Sequence, residues 1–256
     1  MWLGAVALGA SVFPASAQVE TYDAVSPSSR IMFVFDGSNS MWAPVDGGRK
    51  IDVARNAFAT AIDAVPATTE LGLTIYGHRS RGDCSDIEVA VPMTSGLSVR
   101  SRMSDSVAAV RPKGKTPLSN AVRKAAESMK YQEVPATIVL ITDGVESCGA
   151  DPCSLAQDLE ELGVDFKAHV IGFDLSGEEQ DALVCMAEQT GGTFFSAQDS
   201  TSLEQAFEQL MVVETAAPAA DEPASVPQQI SVWVESVRQA GKPLPLRSEG
   251  APGNDE

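Results

Sequence analysis

The chain has 256 residues, of which 44% are hydrophobic and 21% charged, a composition that builds a packed core and excludes disorder throughout. Its formal net charge is −17. Such an acidic molecule repels phosphate backbones and anionic lipid surfaces, so neither nucleic acid nor a membrane surface is an expected partner.

Residues 1–13 (MWLGAVALGASVF) are apolar and uncharged, and Ala15-Ser16-Ala17 supply the small residues a signal peptidase needs. A signal peptide over residues 1–17 follows, with a secreted or periplasmic destination. The stretch is too short for a permanent anchor, so no membrane span is expected once it is removed. It lacks the usual Lys or Arg before the apolar run, and the competing reading is a buried N-terminal helix. Residues 18–29 are polar and loop-like.

Residues 30–36 (RIMFVFD) form a continuous apolar run ending in Asp, which suits a strand buried on both faces of a parallel sheet. Over residues 50–64, Ile51, Ala54, Phe58 and Ile62 fall at helical spacing before Pro66 stops the helix. Residues 70–76 (ELGLTIY) make a second strand, and residues 86–91 (DIEVAV) alternate as an antiparallel edge would. A helix is expected at about 97–110, and another from Thr116-Pro117, with Thr as N-cap and Pro as first helical residue. Residues 136–142 (ATIVLIT) are the clearest strand. Asp151-Pro152 opens a helix to about 162, residues 165–172 give a strand, and residues 177–190 give a helix ended by Gly191-Gly192. Residues 193–196 form a last short strand and 202–213 a last helix.

Six strands alternating with helices predict an α/β fold: a doubly wound, mostly parallel six-stranded sheet with helices on both faces, over residues 30–213. Residues 214–229, rich in Ala and Pro, read as a linker. Residues 230–256 begin with a strand-like alternation and resemble the opening of an incomplete β segment.

The chemistry collects where strands end. Asp36 closes the first strand, and Ser38 and Ser40 follow two residues apart in DGSNS. In an open parallel sheet, ligands sit beyond the carboxyl ends of the strands. Asp143 occupies the same edge after the strongest strand, and Thr116 adds a third hydroxyl at a helix start. Two carboxylates and three hydroxyls are hard oxygen ligands, suited to Mg²⁺, Mn²⁺ or Ca²⁺. Two histidines in the whole chain leave little acid–base equipment, so no enzyme is expected.

Asp36, Ser38, Ser40, Thr116 and Asp143, in this order and in these strand contexts, resemble the metal-ion-dependent adhesion site of von Willebrand factor A and integrin inserted domains. The resemblance covers residues 30–213. It implies that Ser38 and Ser40 bind the cation directly, Thr116 directly or through water, and Asp36 and Asp143 often through water. Mg²⁺ is the implied cation, and an Asp or Glu of a partner protein would complete its octahedron. It also implies sheet order 3-2-1-4-5-6 and a C-terminal helix, here residues 202–213, able to shift on binding. The main functional expectation is thus a secreted or periplasmic protein-binding module. The alternatives are a recognition subunit of a larger envelope assembly and a metal-dependent hydrolase.

Arg111, Lys113 and Lys115 stand just before Thr116 and could attract an acidic ligand, against the alternative of a merely solvated basic loop. They belong to a basic run from Arg100 to Lys130. Four cysteines, Cys84, Cys148, Cys153 and Cys185, fit an oxidising compartment and allow three connectivities. In the implied sheet order, 84–148 and 153–185 are favoured, with a local 148–153 bridge as competitor. Gly114-Lys115-Thr116 lacks the earlier glycine of a phosphate-binding loop, and Arg81-Gly82-Asp83 is too short a match to carry function.

Overall fold

A computed structural model describes residues 29–215. The expected signal peptide, nearly all of the linker and the terminal β segment lie outside them. The elements are β1 (Arg30–Asp36), a 3₁₀ turn (Asn39–Trp42), β2 (Pro44–Val45), β3 (Gly48–Arg49), α1 (Lys50–Ala64), β4 (Glu70–Tyr76) and β5 (Ile87–Thr94). They continue with α2 (Ser98–Ala109), α3 (Leu118–Ser128), β6 (Ala136–Thr142), α4 (Pro152–Leu162), β7 (Phe166–Phe173), α5 (Gly177–Gln189), β8 (Phe194–Ala197) and α6 (Ser200–Thr215). The main sheet runs β5-β4-β1-β6-β7-β8, the implied order, with β5 antiparallel to β4 and all other pairs parallel.

Alternation along β1 divides the core. Ile31, Phe33 and Phe35 face α1, α2 and α6, whereas Met32 and Val34 face α3, α4 and α5. Phe58 of α1 meets Phe33 and Phe35 edge-on, at centroid distances of 5.3 and 5.7 Å. Every β1 residue from Ile31 to Asp36 is buried, as a central strand covered on both faces requires.

Local chemistry explains where the structure departs from the sequence-based expectations. Thr116 does not cap α3, which begins at Leu118. The residue before a proline is pushed out of helical geometry. Thr116 instead exchanges backbone contacts with Ser147: its N–H donates to Ser147 Oγ (2.8 Å) and its carbonyl accepts from Ser147 N (3.0 Å). Its hydroxyl is therefore not spent on helix capping. β5 runs past Pro92 to Thr94, with irregular register, which an edge strand tolerates. The β2–β3 hairpin has only two residues per strand and no alternation to announce it. Arg100, counted in the basic run, is buried: its guanidinium donates to the carbonyls of Ile62, Val65 and Pro66 and so closes the end of α1.

Cys84 is bonded to Cys148 and Cys153 to Cys185. The first bridge joins the β4–β5 loop to the β6–α4 loop, and the second joins α4 to α5. At the opposite end of the sheet, the strand starts Arg30, Glu70, Ala136 and Lys167 line a cleft of about 810 Å³ together with Ser29 and Glu214. His169 on β7 is buried; its Nε2 lies 2.9 Å from Glu214 Oε1, and its Nδ1 accepts from Thr193 N.

Candidate metal centre

β1 and β6 are parallel neighbours, so Asp36 and Asp143 leave the sheet at one edge. Asp36 is fully buried. Its Oδ1 accepts from Ser38 N at 2.6 Å, and its Oδ2 accepts from the hydroxyls of Tyr76 (2.8 Å) and Thr142 (2.7 Å). Three donors pin this carboxylate in one orientation. Burial nevertheless pushes its pKa above the ordinary aspartate value, with these hydrogen bonds pulling the other way. Tyr76 is held well above its usual pKa, first by burial and then by the charge on Asp36.

A relay of hydroxyls leads outward. Ser38 Oγ lies 2.9 Å from Ser40 Oγ, and Ser40 Oγ donates to Asp143 Oδ1 at 2.7 Å. A hydroxyl that gives its proton to a carboxylate keeps its lone pairs for another electrophile. Thr116 Oγ1 joins the same place: it and Ser40 Oγ lie 3.8 and 3.7 Å from the point where a Cβ on Gly144 would sit.

The loops carrying these groups approach so closely that side chains are excluded. Gly77 has φ +69°, and a Cβ there would lie 2.5 Å from the Lys115 carbonyl oxygen. Gly114 N donates to the Gly77 carbonyl, and Asn39 N to the Gly114 carbonyl. Backbone contact thus stitches the β1, β4 and Lys113–Lys115 loops together around Ser38.

Asp143 is nearly buried, and its Oδ2 has no hydrogen-bond donor aligned on it. The Lys50 ammonium stands 3.2 Å from that oxygen and 3.0 Å from Asp174 Oδ2. Burial would lower the Lys50 pKa, but Asp174 and Asp143 outweigh it and raise it. Burial first, and Asp36 second, raise the Asp143 pKa to about 6, against the pull of Ser40 and Lys50.

Converging hydroxyls between two buried carboxylates are hard oxygen donors of the kind a divalent cation takes. Among the described residues, no group of three or more His, Cys, Asp or Glu side chains is arranged to hold a metal ion. The rim therefore offers hydroxyls in front, with the carboxylates of Asp36 and Asp143 behind them.

The raised Asp143 pKa has a thermodynamic consequence for the metal-free protein. The fold binds a proton that the unfolded chain has already released. This group's contribution to stability is present below pH 4 and is lost as pH rises through about 6. In the presence of EDTA, Asp143→Asn is therefore expected to gain in melting temperature relative to the native chain between pH 4.5 and 7. Thermal unfolding at both pH values checks this, and a constant difference contradicts it.

Arg111, Lys113 and Lys115 are exposed beside this rim. Lys113 N donates to the carbonyls of Gly37 and Gly77, and its Nζ lies 3.5 Å from the Arg79 carbonyl. Three others of the basic run are engaged elsewhere: Lys124 on the Ile87 carbonyl, Arg123 with Asp158, Lys130 with Glu133. His78 contacts Glu88 at 3.1 Å, and burial lowers its pKa. Arg81-Gly82-Asp83 is exposed, with Asp83 Oδ1 bound to Ser85.

Sequence reasoning missed Tyr76, Thr142, Lys50 and Asp174. Two carried a signal: Tyr76 closes β4 in register with Asp36, and Thr142 closes β6. A polar tip at the last position of an apolar strand points to the ligand edge. Lys50 opens α1, where the helix dipole disfavours a cation, so its position required a local partner. Asp174 carried no comparable mark.

The von Willebrand factor type A domain model matches residues 31–209, from β1 into α6. The uncharacterised protein YwmD of Bacillus subtilis (strain 168) is 29% identical over 210 residues, covering 79% of this chain and 90% of that protein. Among solved structures, the von Willebrand factor type A protein from Catenulispora acidiphila has a TM-score of 0.60 at 19% identity. That match covers 73% of this chain and 42% of the Catenulispora chain, so this chain spans less than half of that protein. The PilB minor pilin from Streptococcus sanguinis has a TM-score of 0.59 at 16% identity, covering 75% of this chain and 63% of that one. Proximal thread matrix protein 1 from the mussel byssus, with its MIDAS motif occupied by zinc, has a TM-score of 0.54 at 20% identity, covering 73% and 45%. With sheet order, strand-end chemistry and family model falling on the same stretch, the chain belongs to the von Willebrand factor type A domain family.

Proposed function

We propose that this chain is an exported protein-binding module that captures an acidic residue of a partner through a divalent cation. Ser38, Ser40 and Thr116 would hold the ion, with Asp36 and Asp143 behind them. The observation that carries this reading is the chain Asp36–Ser38–Ser40–Asp143, linked at 2.6, 2.9 and 2.7 Å, which sets two hydroxyls between two buried carboxylates. A bound cation supplies a Lewis-acidic position for an incoming carboxylate. The chain's own residues orient that position and leave it electrophilic, because hydroxyls rather than carboxylates face it.

Hard oxygen donors favour Mg²⁺, with Mn²⁺ or Ca²⁺ as substitutes. The zinc-filled MIDAS motif of the mussel protein supports a divalent ion in general. Exposed Arg111, Lys113 and Lys115 supply a local positive rim that steers an acidic partner toward an otherwise acidic molecule. Two disulfides fit an oxidising, secreted or periplasmic setting, and no helix among the described residues is long and apolar enough to cross a membrane.

A second reading, a recognition subunit within a larger envelope assembly, draws on the likeness to a minor pilin. The hydrolase reading has less support: His78 and His169, the two histidines, are turned to Glu88 and Glu214.

The test is calorimetric titration of Mg²⁺ into the purified chain, followed by affinity capture from the native envelope with Mg²⁺ or EDTA. The native chain should bind Mg²⁺ and retain a partner that EDTA releases and that Ser40→Ala fails to retain. Capture indifferent to both would end the proposal.

A further inference from the structure

Among the described residues, Lys50 is the one buried ammonium at the rim, and nothing in the cation-binding reading uses it. It opens α1, where the helix dipole opposes a positive charge, and it is 6% exposed. Burying a charge at such a point requires compensation. Asp143 Oδ2 at 3.2 Å and Asp174 Oδ2 at 3.0 Å provide it, the first from the loop after β6 and the second from the loop after β7. The Asp143 carboxylate is thereby divided: Oδ1 receives the Ser40 hydroxyl and Oδ2 faces the ammonium.

We propose, resting on the cation site described above, that Lys50 is a positioning residue that holds Asp143 back from direct ligation. The ammonium sets both how tightly the site binds its ion and how much anionic demand that ion keeps for a partner. Two carboxylates next to a divalent ion would neutralise it and leave little attraction for a third. An ammonium in ionic contact with one of them restores a net positive centre. Intrinsic cation affinity is lowered, and attraction for an external carboxylate is raised.

Lys50→Met removes the charge and keeps most of the stem. Mg²⁺ affinity by calorimetry should then rise at least about tenfold, the water-screened end of one nearby charge's effect on a divalent ion. Proton relaxation with Mn²⁺ in the same site should count one exchangeable water fewer, because Asp143 takes that position. Lys50→Arg keeps the charge and should retain the native water count. Unchanged or weaker affinity in Lys50→Met overturns the proposal. So does a rise without loss of a water, which would mean that charge acts only at a distance. Should Lys50→Met fail to fold, Asp174→Asn serves: its side chain is 40% exposed, and its loss leaves Lys50 to Asp143. Mg²⁺ affinity should then fall with the water count unchanged, and an equal or higher affinity overturns the proposal. A native chain that binds neither Mg²⁺ nor Mn²⁺ instead refutes the cation site itself.

Discussion

Ser40→Ala is expected to abolish the response to Mg²⁺ at a modest cost in stability, whereas Asp36→Ala should cost the fold heavily. Ser40 is exposed, and its hydroxyl reaches only Ser38 and Asp143. Alanine removes one donor from the buried Asp143 carboxylate, at about 1–3 kcal/mol unless water replaces it. Asp36 is fully buried and accepts from Ser38 N, Tyr76 and Thr142. Alanine would leave those donors without an acceptor, at about 1–3 kcal/mol for each group that finds no water. The sum is a large share of the roughly 5–15 kcal/mol that holds a domain together. Urea unfolding with calorimetric Mg²⁺ titration separates the two effects. If Ser40→Ala still binds Mg²⁺ with native affinity, the hydroxyl relay is not the ligand set. If Asp36→Ala unfolds at the native urea midpoint, Asp36 is not the hub of the rim.

The second large effect concerns the Cys84–Cys148 bridge, which closes a separation of 64 residues. In the chain-entropy picture, a loop of that length contributes about 4 kcal/mol. Cys148 is adjacent to Ser147, which holds the backbone of Thr116 from both sides. Glu146 extends the clamp, accepting from Ser119 N and Cys148 N. The double variant Cys84→Ser, Cys148→Ser should lose stability and also bind Mg²⁺ more weakly, because the Thr116 loop is no longer clamped. Cys153→Ser with Cys185→Ser opens a separation of 32 residues between α4 and α5. It should cost a similar amount, about 3–4 kcal/mol, without touching Mg²⁺ affinity. Equal loss of affinity in both pairs would show that general loosening, not the Thr116 clamp, is responsible.

The fold was legible wherever burial imposed a period. RIMFVFD and ATIVLIT, which become β1 and β6, are apolar because both of their faces are covered, and no other element type suits so short a run. The helix at Asp151-Pro152 was legible because its cap is local, the carboxylate accepting from Cys153 N and Ser154 N two and three residues on. Thr116 misled for the converse reason: its partner, Ser147, is 31 residues away. Arg100 misled likewise, since the carbonyls it caps lie 34 to 38 residues upstream. At the site, Asp36, Ser38, Ser40 and Asp143 were legible from their strand ends. Lys50 and Asp174 were not, because an ion pair between the start of a helix and the end of a distant strand leaves no spacing in the sequence. Residues fixed by neighbours along the chain can be read from it; those fixed across the sheet need the sheet first.

The cleft at the strand starts has a mechanical consequence. Ser29 and Glu214 both line it, so the chain enters and leaves the domain side by side, at the pole opposite Asp36 and Asp143. With seven residues in β1, that pole lies roughly 20 Å below Asp36. A pull between a captured partner and a stem at either end would run along the strands. The ladders flanking β1 would then share the load in shear rather than open one rung at a time.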